Sequence, residues 1–173
     1  MADNDLNGAG AGAPTLGPIP GAEGPRMNIL SQYVKDFSFE NPDGPRVIQN
    51  RDQGSRINVG INVTSARLPS GDWEVAVKFD CAAKDGERTM FAIELLYCGI
   101  ARFTNVPDNQ IEPLTMIEVP RLLFPFARQI LADATRNGGF LPLMLDPVDF
   151  ANMYRQRQQR GTGVSVPPPA NLS

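Results

Sequence analysis

The chain is expected to fold as an α+β domain, a four-stranded antiparallel sheet followed by two helices packed on one face. Three observations lead there. Apolar residues recur at every second position through the first half of the sequence, turn-forming stretches punctuate that pattern, and from Pro120 onward the apolar spacing changes to three and four.

The strands follow in order. Around "KDFSFENP", Tyr33, Phe37 and Phe39 oppose Asp36, Ser38 and Glu40. In the second strand Ile57, Val59, Ile61 and Val63 oppose Asn58, Gly60, Asn62 and Thr64. Trp73, Val75, Val77, Phe79 and Cys81 then oppose Glu74, Ala76, Lys78 and Asp80. The fourth strand, Thr89 to Phe103, is apolar on both faces: Phe91, Ile93, Leu95 and Tyr97 on one, Met90, Ala92, Leu96, Cys98 and Ile100 on the other, with only Glu94 interrupting the second set. "LPSGD" and "AKDGE" supply tight turns, the latter through Asp85-Gly86, so strands two, three and four form a meander. The connection from Asn41 to Ser55 is long for a hairpin and carries Pro42, Gly44 and Pro45, which leaves strand one able to lie beside strand four.

The helices come last. In "PRLLFPFARQILADATRNGG" the residues Leu123, Phe126, Ala127, Ile130, Leu131 and Ala134 share one face, and Gly138 or Gly139 supplies the stop. Pro125 removes an internal hydrogen bond, so the helix starts near it or kinks there. A second helix, "DPVDFANMYRQRQQR", is expected to be capped by Asp146 with Pro147 at its first position, and its apolar stripe is Phe150, Met153 and Tyr154. Two helices cover one sheet face only. The doubly apolar fourth strand therefore predicts a homo-oligomer, with Ile93, Leu95 and Tyr97 as interface candidates.

Composition bounds the function. The 173 residues suit one domain, residues 27–160. More than half of residues 1–26 are Gly, Ala or Pro, which cannot offset ordering entropy by burial, and that leader reads as disordered, as does the Pro-rich tail 161–173. A net charge of −3 opposes general nucleic-acid binding. There is no histidine, which removes the commonest general base and the usual zinc ligand, and no phosphate-binding glycine loop; no metal or cofactor is expected and the chain does not read as an enzyme. The spacing of Cys81 and Cys98 matches no zinc or redox motif, and packing as small apolar groups is favoured over a disulfide. The N-terminus lacks the basic start and apolar run of a signal peptide, and nothing is apolar enough for stable membrane insertion, so a cytoplasmic protein is expected.

"YVKDFSFENP", "AIELLYCGIARF" and "RLLFPFARQILADATRNGGFLPLMLDPVDFANMYRQR", taken with the four-strand, two-helix order, resemble the SecB family of bacterial protein-export chaperones over roughly residues 27–158. The resemblance implies a homotetramer, a dimer of dimers, that holds unfolded precursor proteins without ATP and hands them to the SecA motor. It also implies that strand one lies next to strand four, so that Asp36 and Glu40 approach Glu94 as an acidic dock for the basic tail of SecA. The implied client groove draws on Val59, Ile61, Phe126, Phe150 and Tyr154; core packing is at least as good a reading of Phe126 and Phe150, whereas Tyr154 can keep its hydroxyl wet. The ends depart from the family: the leader is long, and the tail follows Arg155, Arg157 and Arg160 and has no acidic residue. Competing readings are a SecB-like chaperone for a single client such as a toxin–antitoxin partner, a carrier of a small apolar ligand, and a catalytic Asp36–Glu94 pair of the glycosidase kind.

Overall fold

The computed structural model describes residues 24–42, 44 and 56–161. The disorder expected of residues 1–23 and 162–173 lies outside these. At the boundaries, Arg26 already belongs to the first strand and Gly161 closes the last helix.

Four strands, β1 Arg26–Glu40, β2 Arg56–Arg67, β3 Trp73–Asp85 and β4 Arg88–Thr104, form one antiparallel sheet in the order β1-β4-β3-β2. The meander and the pairing of β1 with β4 both stand as expected. Each turn follows local chemistry. Gly71 adopts φ +88° and its N–H donates to the Leu68 carbonyl at 2.9 Å. In the second hairpin Asp85 pairs with Arg88, so the turn centres on Gly86 and Glu87, one residue beyond the expected Asp85-Gly86, with Gly86 at φ +60°.

Period-two reading fails in β1. Irregularities between Ile29 and Ser31 and between Val34 and Asp36 each insert an extra residue, and an extra residue moves everything beyond it to the other face. Phe37 and Phe39 do face the helices, opposite Leu95 and Ile93, but Tyr33 lies opposite Cys98 on the outer face with Asp36, Ser38 and Glu40.

The helical region begins well ahead of Pro120. Helix α1, Asp108–Pro113, runs through a π-helical turn, Leu114–Glu118, into α2, Val119–Asn137. Pro113 and Pro120 concealed this continuity, since each removes a ladder hydrogen bond, and the wider turn lies between them. Helix α2 passes through Pro125 and ends at Gly138 and Gly139, the latter at φ +89°. Helix α3, Phe150–Gly161, starts later than expected. Asp149, not Asp146, caps it: its Oδ1 accepts the Asn152 N–H at 2.9 Å, leaving Pro147 outside.

The core lies between the sheet's helix-facing side and α2. Val75, Val77, Phe79, Ile93, Leu95, Leu123, Leu131 and Phe150 are its largest fully buried apolar members apart from Val119 and Pro120. Close approach of α2 depends on Gly99 of β4, where an added Cβ would stand 2.7 Å from Leu123 Cδ2. The segment between α2 and α3 is anchored by buried Thr135, whose hydroxyl donates to the Leu131 carbonyl and accepts the Leu143 N–H at 2.8 Å.

This packing corrects the expected oligomer interface. Ile93, Leu95 and Tyr97 are only 1%, 0% and 7% exposed within a single chain, because they face the helices and not the open side of the sheet. The opposite side of β4 is also largely covered: Cys98 is fully buried, and Leu96 and Ile100 are half-buried among neighbouring strands. Surplus apolar surface lies elsewhere. On the helix side, Val34 and Phe37 of edge strand β1 and Leu122 and Phe126 of α2 remain exposed. A cleft of about 430 Å³ between β1 and α2 is lined by Phe37, Phe39, Ile130 and Ala134.

Candidate functional site: an acidic sheet face and a groove of mixed polarity

Strand register assembles the outer-face carboxylates. Glu94 stands directly opposite Ser38 of β1, which puts Asp36 and Glu40 at the two diagonal positions on its own face. Diagonal neighbours in an antiparallel pair lie about 7–8 Å apart, close enough to act on one charged ligand. On its other side Glu94 faces Asp80 of β3. Lys78 Nζ lies 3.0 Å from Asp80 Oδ1 and 3.6 Å from Glu94 Oε2, so one ammonium serves two of the four carboxylates and the patch stays negative. Sequence reasoning placed Asp36, Glu40 and Glu94 together and missed Asp80 and Lys78. Their position on the outer face of strand three was already visible, and the pairing register was the missing link.

Beside this patch, Glu74 of β3 accepts from Tyr33 Oη and from Lys35 Nζ, the latter at 2.8 Å. Lys35, and after it Tyr33, holds the Glu74 carboxyl below the usual carboxylate range, while the hydrogen bond to Glu74 pushes the Tyr33 phenol up to about 12. Buried Cys98 lies beneath, opposite Tyr33 and Ala76. Cys81 points to the other side of the sheet, opposite Ile93, and both thiols are free; burial pushes the Cys81 thiol up to about 11. Cysteines on opposite faces cannot pair within the chain.

The groove candidates separate into three places. Ile61 and Tyr154 come together, lining a groove of about 420 Å³ between β2 and α3 with Val63, Met116 and Met153 as apolar walls. Val59, two residues along the same face of β2, is 41% exposed. Phe150 is excluded as a groove residue: it is 1% exposed, in the core, with its ring edge toward Phe124 at 6.1 Å between centroids. Phe126 belongs to neither core nor groove, being 53% exposed with Leu122 on the outer side of α2. Sequence reasoning missed Met116, which the π-helical turn presents, and Arg157, whose Nη1 donates to the Val63 carbonyl of β2 at 2.8 Å.

A family model described as "Preprotein translocase subunit SecB" matches residues 21–161. The protein-export protein SecB of Nitrobacter winogradskyi is 48% identical over 147 residues, covering 85% of this chain and 92% of the relative. The protein of the same name from Sinorhizobium medicae is 54% identical over 133 residues, covering 77% and 79%. Among solved structures, a Mycobacterium tuberculosis SecB-like chaperone in complex with an antitoxin peptide superposes with a TM-score of 0.60 at 12% identity, over 71% of this chain and 91% of the other. At that identity the likeness is one of fold.

Proposed function

The chain belongs to the SecB family, chaperones of preprotein translocation, and from that premise we propose that it holds unfolded precursors in the groove between β2 and α3 and passes them to SecA through the acidic outer face. One observation supports the division of labour. Ile61 faces the helix side of the sheet, whereas Asp36, Glu40, Asp80 and Glu94 face the other, so a client and a motor protein can be bound together.

Each surface suits its task. A groove walled by Ile61, Val63, Met116 and Met153 takes apolar side chains of many shapes, methionine being the most adaptable. Burying one large apolar side chain stabilises by about 1.5–3 kcal/mol, so a single groove holds its client weakly and releases it readily. Several grooves on one homotetramer raise the hold by effective concentration, with no nucleotide required. The exposed carboxylates attract and orient a Lys- and Arg-rich segment, and this attraction is screened by salt.

Changing Asp36, Glu40 and Glu94 together to Ala is expected to weaken SecA binding about tenfold at low salt while leaving suppression of precursor aggregation intact, since exposed ion pairs contribute about 0.2–1 kcal/mol each. Unchanged SecA affinity at low salt contradicts the acidic dock. Failure of the unaltered protein to suppress aggregation contradicts the holding function.

A further inference from the structure

On the outer face of the sheet Glu94 of β4 stands directly opposite Asp80 of β3, and like charges so placed repel. Lys78 relieves the repulsion. Its Nζ lies 3.0 Å from Asp80 Oδ1 and 3.6 Å from Glu94 Oε2, and Asp80, with Glu94 after it, holds the ammonium pKa above the usual lysine value. Lys35 of β1 is held instead by Glu74, at 2.8 Å. Asp36 and Glu40 have no cation partner among the described residues. The carboxylates of the acidic face are therefore unequal: Asp36 and Glu40 are open, while Asp80 and Glu94 already share an ammonium of the same chain. That bridge is free to open. The Lys78 and Glu94 side chains are 45% and 59% exposed, so parting them unpacks no core, and Gly60 of β2, opposite Asp80, leaves the space beside the pair without a side chain.

We propose, resting on the reading of this face as the dock for a basic segment, that Lys78 is a built-in competitor: its ammonium occupies the place between Asp80 and Glu94 that a Lys or Arg of the incoming segment takes on docking. The segment meets Asp36 and Glu40 first, because they are open, and reaches Glu94 only by exchanging one cation for another. Exchange of like for like gains little Coulomb energy, so docking is weaker than an unoccupied set of carboxylates would make it. Release is eased for the same reason. Lys78 is fixed to the strand that carries Asp80 and competes for its place at high effective concentration. A lysine whose task was only to relieve the Asp80–Glu94 repulsion would support the fold and leave the affinity for basic segments untouched.

The test uses the full chain, with SecA and with a fluorescent Lys- and Arg-rich peptide as probes, at low and high salt. Lys78→Gln is expected to bind both about two- to tenfold more tightly than the parent at low salt, a gain that shrinks as salt rises. Lys35→Gln, which removes the same charge from β1 but leaves the Lys78 bridge in place, is expected to give a smaller gain. Where Lys78→Gln folds poorly under the bare Asp80–Glu94 repulsion, Asp80→Asn/Lys78→Gln is compared with Asp80→Asn, and the double variant is expected to bind more tightly because Glu94 is then unoccupied. Unchanged or weaker binding on loss of Lys78, or a gain matched by Lys35→Gln, overturns the inference. The protein with Asp36, Glu40 and Glu94 changed to Ala separates the two possible failures. If it has lost SecA binding while loss of Lys78 brings no gain, the competitor falls and the dock stands; if it binds SecA as the parent does, both fall.

Discussion

At the turn between β2 and β3, Asp72 is 7% exposed and accepts from Arg102 Nε at 2.7 Å and from Arg102 Nη2 at 2.9 Å, a bidentate pair that ties the start of β3 to β4. Arg102, helped by Ser70, holds the Asp72 carboxyl below its ordinary value. A depressed carboxylate stabilises the fold above the unfolded-state value of about 3.9 and loses that contribution as pH falls through its lower folded value. Thermal unfolding followed from pH 7 to pH 2 is therefore expected to show Asp72→Asn less stable than the parent at neutral pH, with the two converging below pH 4. A difference that stays constant down to pH 2 contradicts the ion pair. Individual residues were unevenly legible in the sequence. Composition and spacing favoured buried, unpaired cysteines, and both are buried and free, whereas Asp80 and Lys78 joined the acidic face only through a cross-strand register that single-strand periodicity does not encode. Phe126 of α2 and Phe150 of α3, equally apolar, could not be assigned by hydrophobicity: one is exposed and the other is core.

Among the elements, those with uninterrupted period were readable and those with a break were not. Strands β2 and β3 alternate, β4 is apolar on both faces, and all three appear where expected despite one irregularity where β3 meets β4 at Ala83 and Lys84. In β1 the extra residues near Leu30 and Lys35 moved Tyr33 to the acidic face, because periodicity carries no mark of a bulge. Prolines 113 and 120 hid the helical stretch before α2, and Asp149 displaced Asp146 as the α3 cap. The contact of α2 with the sheet is the element-scale feature most open to trial. A side chain at Gly99 meets Leu123, which is fully buried. Gly99→Val is expected to destabilise by about 1–3 kcal/mol in denaturant unfolding, as overpacked cores do. Combined with Leu123→Ala, the loss should be smaller than the sum of the two single losses, since the deleted side chain makes room. Additive losses place the contact elsewhere.

For the whole molecule, the proposed mode of action rests on the apolar surface left over after folding. The doubly apolar fourth strand pointed correctly to a surplus but misplaced it. Helix α2 covers one face of β4 and neighbouring side chains half-bury the other, while Val34, Phe37, Leu122 and Phe126 stand among the exposed apolar groups and lie along the β1–α2 side. We propose that the chain assembles as a homotetramer in which sister subunits cover these groups. Leu122→Asp/Phe126→Asp is accordingly expected to lower the native mass while leaving the circular dichroism spectrum of the subunit unchanged, since neither side chain belongs to the core. The central claim, that this protein is a multivalent holder of unfolded chains, is tested most directly by native mass spectrometry with and without a denatured precursor. The expected result is a tetramer alone and a tetramer carrying one precursor chain in the mixture. A single-chain mass that is unchanged by the precursor would contradict it.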